Sequence, residues 1–362
     1  MSARLERVLV TGAAGFIGSA FVRRLLARHP QARVWSLDAL TGPGGRMDNL
    51  RDLDRERHVL VRGDVCDARQ VQALIDGQDI DTIVHLAAES HVDRSIAGPA
   101  AFVRTNIQGT ATLLEAARAA WCGPGRSTRG RRFHQVSTDE VFGDRQVEAN
   151  AADEDSAFAP RSPYAASKAA ADHLVGSYHH TYGLPTSITF SCNNLGPRQD
   201  PEKLVPLVIA RSLRGESLPL YGAGTQVRRW LYVDDHCDAL LAVIEGDCVG
   251  ERFAVGPSQG TGNLELVRRL CAVLDQRLPA GAPHAERIVH VSDRPGHDRL
   301  YHTRADRLEQ RLGWRPTLDL GQALARTVDW YLAHPDWLRQ VVASARWRAW
   351  ERQWYRDRPP AG

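Results

Sequence analysis

The sequence predicts an α/β protein: a doubly wound parallel sheet with helices on both faces, followed by a smaller C-terminal cap. Three observations carry this. Short apolar, β-rich runs alternate with longer helical stretches through the first half of the chain, which is the signature of βαβ units. The runs are nearly continuous in apolar character, as in Ile83-Val84-His85-Leu86, which suits strands covered on both faces. The pattern then breaks after about residue 195, where Pro and Gly crowd in at Gly196-Pro197, Pro201, Pro206, Pro219, Gly222 and Gly224.

In chain order, strands are predicted over 7–11, 33–37, 58–61, 82–86, 133–137 and 186–190, with helices over 15–28, 99–121 and 163–182. Residues 230–233 read as a further strand ending at Asp234 and Asp235, a helix N-cap pair, so the chain is expected to return to the first domain over 230–246. This divides the chain into a dinucleotide-binding domain, 1–195, and a mainly substrate-binding part with a C-terminal helix, 196–362. The tail carries Trp347, Trp350, Trp354 and Tyr355 at near-helical spacing, which predicts a packing helix. No internal repeat or low-complexity tract is visible.

Composition narrows the function classes. A chain of 362 residues can bury a sizeable core without disulfides or metals. A net charge of +3 argues for neither nucleic acid nor membrane as partner. The basic stretch 123–132, which contains Arg126, Arg129, Arg131 and Arg132, reads as a solvated loop. The six cysteines, at 66, 122, 192, 237, 248 and 271, show no C-x-x-C or zinc spacing. They are expected to be free, mostly buried thiols of a reducing compartment. The chain enters a strand directly after its first few residues, without a signal h-region, and no apolar run approaches the roughly 20 residues of a membrane span. A cytoplasmic location is expected.

The first strand runs into Gly12-Ala13-Ala14-Gly15-Phe16-Ile17-Gly18. Glycines here let the backbone turn tightly and approach a pyrophosphate, and the following helix N-terminus faces it with partial positive charge. The spacing is G-x-x-G-x-x-G, not G-x-G-x-x-G. Asp38 ends the second strand, 20 residues after Gly18, where an acid accepts from a ribose 2′-OH and repels a 2′-phosphate. NAD is therefore favoured over NADP. Asp64 and Val65 follow the third strand, where they would hold the adenine edge, and Leu86, Ala87 and Ala88 follow the fourth with small side chains where a ligand can lie close.

Tyr164 and Lys168 stand at i and i+4 on one helix face. A free tyrosine titrates near ~10; an adjacent ammonium and an oxidised nicotinamide favour the phenolate and are expected to lower that value. Tyr164 then removes a hydroxyl proton while a hydride leaves the same carbon. Ser137-Thr138-Asp139-Glu140 follows the fifth strand, at the carboxyl edge of the sheet where ligands bind. Thr138 can bond the same hydroxyl as Tyr164. Asp139 and Glu140 read either as a helix-capping pair or as the acid and base of an elimination, which a plain oxidoreductase does not need.

Together, LAAESHVDRSI (86–96), STDEVFGD (137–144), SPYAASKAAADHLV (162–175), CNNLGP (192–197), PEKLVPLVI (201–209), QVRRWLYVDDH (226–236) and DRPGHDRLY (293–301) resemble the dTDP-glucose 4,6-dehydratases, a family of the extended short-chain dehydrogenase/reductase group with a Rossmann-like fold. The likeness spans essentially the whole chain. It implies an internal redox cycle with tightly bound NAD. Tyr164 serves C4 oxidation, Glu140 takes the C5 proton, Asp139 protonates the departing C6 hydroxyl, and the hydride returns to C6. It further implies that Thr105 and Asn194 face the cofactor with the glycine-turn residues. Ser90, Thr138 and Asn193 would face the sugar. Lys203, Leu204, Pro219, Tyr221, Arg228, Arg294, His297 and Tyr301 would face the nucleotide diphosphate of dTDP-glucose, and a homodimer would form through helices 99–121 and 163–182. No metal is implied.

Departures from the family pattern fall at Leu195 (family Tyr), Arg229 (Asp), Ala254 (Asn) and the loop 41–47, which is one residue longer. They read as cofactor-loop or nucleotide-side changes that leave the reaction in place. The alternatives are a nucleotide-hexose 4-epimerase or decarboxylase of the same group, and a non-catalytic nucleotide-binding protein.

Overall fold

The computed structural model describes residues 3–145 and 151–356. Its main sheet has seven parallel strands: β1 (Arg7–Thr11), β2 (Arg33–Asp38), β3 (His58–Arg62), β4 (Thr82–His85), β5 (Arg132–Thr138), β6 (Thr186–Ser191) and, late in the chain, Arg252–Val255. In space they run Arg252–Val255, β6, β5, β4, β1, β2, β3. The chain thus winds outward from β1 to β3, then crosses back to β4 and winds the other way. The crevice between β1 and β4 is the switch point at which such sheets bind ligands.

Both faces of the sheet are covered, which is why its strands read as unbroken apolar runs. Successive side chains point to opposite faces. Leu9 packs with Ile83, Leu113, Trp121 and Phe133 on one side. Val8 and Val10 pack with Phe21, Leu25, Leu240 and Ile244 on the other. The long helix predicted over 99–121 is interrupted at Val103–Gln108 by a π turn, an irregularity that proteins often place beside functional sites.

Helix α1 (Phe16–Arg28) packs against the later helix Val233–Glu245, tied by Arg24 to Asp238 at 2.7 and 2.6 Å and by Arg28 to Glu245 at 2.7 Å. The expected N-cap at Asp234 and Asp235 is corrected: Tyr232 is the cap, without a side-chain bond, and both acids lie inside the first turn. Asp235 is buried there and accepts instead from Thr317 Oγ1 (2.6 Å) and the Leu318 amide (3.2 Å). The basic stretch is corrected too. Arg132 is fully buried at the start of β5, donating to the carbonyls of Val243 (3.3 Å) and Gly246 (3.2 Å), so it ties that helix to the sheet.

A second core sits between helices Leu204–Leu213, Asn263–Arg277 and Leu320–Ala333 and the paired strands Leu218–Tyr221 and Ile288–Val291. The tryptophan-rich tail forms helix Ala345–Glu351, which packs Trp347 and Trp350 against Leu207 and Val341. All six cysteines are free. Among the described residues no helix is long and apolar enough to cross a membrane, and no His/Cys/Asp/Glu group could hold a metal.

Candidate active site

A cleft of about 640 Å³ opens along the carboxyl ends of the strands. Its floor is the glycine turn. Gly12 has φ of +67°, and a Cβ there would lie 2.7 Å from the Ala87 Cα, so both conformation and space demand glycine. A Cβ on Gly18 would lie 2.3 Å from the Gly12 carbonyl oxygen. α1 begins at Phe16 with no side-chain cap, leaving its first amide N–H groups for an anion. Gly15, Phe16, Ile17, Asp64, Val65, Leu86, Ala87, Ala88, Thr105 and Asn194 all line the same cleft.

These residues fit an NAD. Asp38 lines the cleft, fixed by the amides of Ala14 (2.9 Å) and Leu40 (2.8 Å), with lone pairs left for ribose hydroxyls. Asn194 donates to Ser191 Oγ and the Cys192 carbonyl, while its buried Oδ1 has no hydrogen-bond partner among the described residues, an acceptor that suits a ligand amide. Asp64 accepts from the Cys66 amide at 2.9 Å and Arg104 at 2.6 Å.

Tyr164 and Lys168 project from helix Pro163–Tyr182, which Ser162 caps by accepting from the Ala165 amide. Both are buried. Lys168 donates to the Val136 carbonyl at 2.8 Å, and burial pushes its ammonium down in pKa. One turn further, Asp172 accepts from Ser137. Burial moves this carboxyl up to about 6, against the Lys168 charge and the bond from Ser137, which lower it. The expected lowering of the Tyr164 phenol is not what the protein alone provides. Burial pushes it up, the Glu140 and Asp139 carboxylates add to this, and only its bond to Thr138 opposes them. A positive charge brought by a bound ligand would favour the phenolate.

β5 delivers the other reactive groups. Thr138 caps a short 3-10 turn over Asp139–Phe142 by accepting from the Glu140 amide at 3.3 Å. Asp139 is 3 % exposed, and its Oδ2 has no hydrogen-bond partner among the described residues. Burial, then the Glu140 charge, pushes this carboxyl up to about 7, against Arg228 and Arg229. Glu140 is raised by burial as well, but it faces Arg294, Arg228 and Lys203, which pull it back. Both neighbouring carboxyls are thus raised by burial, but against different sets of cations, an asymmetry that suits an acid and a base side by side.

Ser90, Asn193, Lys203 and Leu204 line the cleft, and Lys203 donates to the Ser90 carbonyl at 3.0 Å. Pro219, Tyr221, Arg228, Arg294, His297 and Tyr301 do not; all of these but Pro219 form the adjoining wall. Tyr301 brings its hydroxyl 3.3 Å from Glu140 Oε2 and 2.8 Å from Asp298 Oδ2. Arg228 lies over the Tyr301 ring at 4.0 Å, with its guanidinium turned to the carbonyls of Val227 (2.8 Å) and Asp298 (2.7 Å). Arg294 (3.3 Å) and Tyr221 (3.0 Å) both bond Asp93. His297 bonds Asp293 at 2.7 Å, and burial and Arg294 move it down to about 4, so it is neutral at pH 7. Pro219 is buried in its strand.

Two of these partners, Asp93 and Asp172, are not among the residues picked from sequence. Asp172 had a readable signal, a carboxylate one turn beyond Lys168 on the same helix. Asp93 had none, because its partners lie 128 and 201 residues away. Of the departures, Leu195 is fully buried, and Ala254 sits in the edge strand with its amide on Glu154 (2.8 Å). Neither lines the cleft, so the nucleotide-side reading of these two is corrected: they are core positions. Arg229 is buried beside Asp139, bonded to the carbonyls of Tyr301 (3.1 Å) and Ser258 (3.0 Å).

Comparison with known proteins finds relatives over most of the chain. The model of the GDP-mannose 4,6 dehydratase family matches residues 9–327. A dTDP-glucose 4,6-dehydratase of Shigella flexneri is 45% identical over 362 residues, covering 97% of this chain and 99% of that one. One of Xanthomonas campestris is 48% identical over 338 residues, covering 92% and 95%. A dTDP-glucose 4,6-dehydratase from Streptomyces venezuelae, solved with NAD bound, superposes with a TM-score of 0.83 at 42% identity, over 92% of this chain and 99% of that one. A UDP-glucose 4-epimerase from Thermotoga maritima reaches 0.79 at 28% identity, over 91% and 99%.

Proposed function

The chain belongs to the dTDP-glucose 4,6-dehydratase family, and we propose that it removes water across C5 and C6 of dTDP-glucose to leave the 4-keto-6-deoxy sugar nucleotide. The carrying observation is the Asp139–Glu140 pair, buried together at the cleft beside Tyr164 yet held in different surroundings. An epimerase needs the Tyr164–Lys168 pair but no second acid and base.

Bound NAD supplies the hydrogen acceptor for C4 and the donor for C6. Tyr164, with Thr138 on the same oxygen, removes the C4 hydroxyl proton. Lys168, anchored on the Val136 carbonyl, orients the ribose. The C4 ketone acidifies C5. Glu140, whose pKa burial raises against the opposing pull of Arg294, Arg228 and Lys203, takes the C5 proton. Asp139 retains its own proton near neutrality and gives it to the C6 hydroxyl as the C6–O bond breaks, so water leaves; as C6 is reduced, Glu140 returns a proton to C5. Ser90 and Asn193 face the sugar, while Lys203 and Leu204, with Tyr221, Arg294, His297 and Tyr301 of the adjoining wall, face the nucleotide diphosphate. Arginine suits a diphosphate because its planar fork meets two oxygens at once.

Residues 1–195, with the returning 230–246 segment, serve the cofactor in this scheme, and the rest chiefly the sugar nucleotide. A cytoplasmic location is part of this proposal, and six free thiols are in keeping with it. A homodimer would join helices 99–121 and 163–182, where the large side chains of Val103 and Tyr182 stand exposed. Mass spectrometry of products from dTDP-, UDP-, CDP- and GDP-glucose in parallel tests the reading: dTDP-glucose should yield the fastest product one water lighter. Turnover of every sugar nucleotide without loss of mass would overturn it.

A further inference from the structure

The loop after β2 that closes over the cleft has almost no side chains of its own to hold it there. Thr41, Gly42, Pro43, Gly44 and Gly45 line the cleft. A Cβ on Gly45 would come within 3.2 Å of Asp38 Oδ1, and one on Gly44 within 3.8 Å of the Phe16 amide. The loop therefore lies directly on the ribose-binding acid and the pyrophosphate end of α1. Three glycines in five residues carry a high conformational entropy that must be offset to keep this segment ordered.

What holds it comes from the far end of the chain. Arg346, in helix Ala345–Glu351, donates to the carbonyls of Gly42 (2.8 Å) and Pro43, and stands 3.7 Å from Asp200 Oδ2 on the cleft wall. Trp337, in helix Pro335–Ala343, donates its indole N–H to Asn49 Oδ1 at 3.0 Å. Asn49 in turn donates to the carbonyls of Ala14 (2.8 Å) and Gly44 (3.1 Å), linking the glycine turn to the loop. Arg46 lies over the Trp337 ring at 5.8 Å.

We propose that residues 335–351 form a clasp on the 41–45 loop, with Arg346 as its positioning residue, and that the clasp keeps NAD from leaving between the first and last steps of a turnover. This rests on the dehydratase reading. A chain whose reaction ends with its cofactor unchanged must retain that cofactor while it is reduced, whereas a dehydrogenase that consumes NAD must let it go. Opening the loop requires breaking the Arg346 bonds to two backbone carbonyls, and a guanidinium supplies both from one rigid fork.

The test measures cofactor departure rather than turnover. Holoenzyme carrying radiolabelled NAD is diluted into excess unlabelled NAD, and retained label is followed for the native chain, Arg346→Met, Arg346→Lys and Trp337→Phe. Loss of hydrogen bonds to a charged donor predicts release on the order of tenfold faster for Arg346→Met. Arg346→Lys, which keeps the charge but reaches one carbonyl, should fall between. Trp337→Phe removes the Asn49 bond together with part of the ring packing on Trp330 and Tyr331; its release should also quicken, by more than any fall in the cofactor-free melting temperature accounts for. Release within twofold of native for both Arg346→Met and Trp337→Phe overturns the clasp. So does faster release that tracks a matching fall in the melting temperature of the cofactor-free protein. Product mass separates this from the dehydratase reading: faster NAD release in a chain that does not remove water would support the clasp and refute the reaction.

Discussion

Replacing Asp139 by Asn separates the cost of a buried acid from its use. The carboxyl titrates at 3.8 when free and at about 7 in the fold, first because it is buried and then because Glu140 is charged. Each pH unit between those values is worth about 1.4 kcal/mol, so ionised Asp139 destabilises the fold by on the order of 4 kcal/mol above about pH 7. Its folded pKa is raised, so the folded state binds the extra proton. The contribution is fully present below the free value and is lost as pH rises through about 7. Asn is neutral throughout. In urea unfolding of the cofactor-free protein, Asp139→Asn should therefore match the native chain near about pH 4 and exceed it increasingly up to about pH 8. Its dehydration rate should fall by roughly 10²- to 10⁴-fold, the usual contribution of a general acid. A stability difference that does not change with pH would show that Asp139 is not held protonated, and the proton-donor role would fall with it.

Four further outcomes follow from the same geometry. Glu140→Gln should block water loss by roughly 10²- to 10⁴-fold while C4 oxidation persists, read as a rise in reduced-nicotinamide absorbance on adding dTDP-glucose; no rise would mean that the roles of Tyr164 and Glu140 are not separable. Tyr164→Phe should suppress that absorbance change as well as product. Gly12→Ala places a Cβ 2.7 Å from the Ala87 Cα at a φ of +67°, so the purified variant should carry little NAD by absorbance ratio, with the sheet still folded by circular dichroism. The pH profile of kcat/KM should fall on the alkaline side as Asp139, pushed up to about 7, loses its proton, and Asp139→Asn should lack that limb.

Much of the site was legible because local chemistry dictates it. The glycine turn, Asp38 and the i, i+4 spacing of Tyr164 and Lys168 each depend on residues near in sequence, and all line one cleft. The first six strands were readable because both faces of the sheet are covered, so most side chains in them are buried and apolar. The seventh, Arg252–Val255, was not, because it returns from the second half to pair with β6. The same holds for the wall behind Glu140. Arg294, Tyr221 and Asp93 meet only when the cap folds. Arg132 read as solvated because its acceptors are helix-end carbonyls 111 and 114 residues away. The Tyr164 phenol moved opposite to expectation for a related reason: the fold buries it, and two of its three carboxylate neighbours, Asp139 and Glu140, come from the turn after β5.

Running the reaction in heavy water tests the central claim most directly. If Glu140 removes the C5 proton and Asp139 expels the C6 hydroxyl, dTDP-glucose should give a product one water lighter that carries solvent deuterium at C5, with no net reduced cofactor. A product of unchanged mass, or a dehydrated product without deuterium at C5, would contradict it.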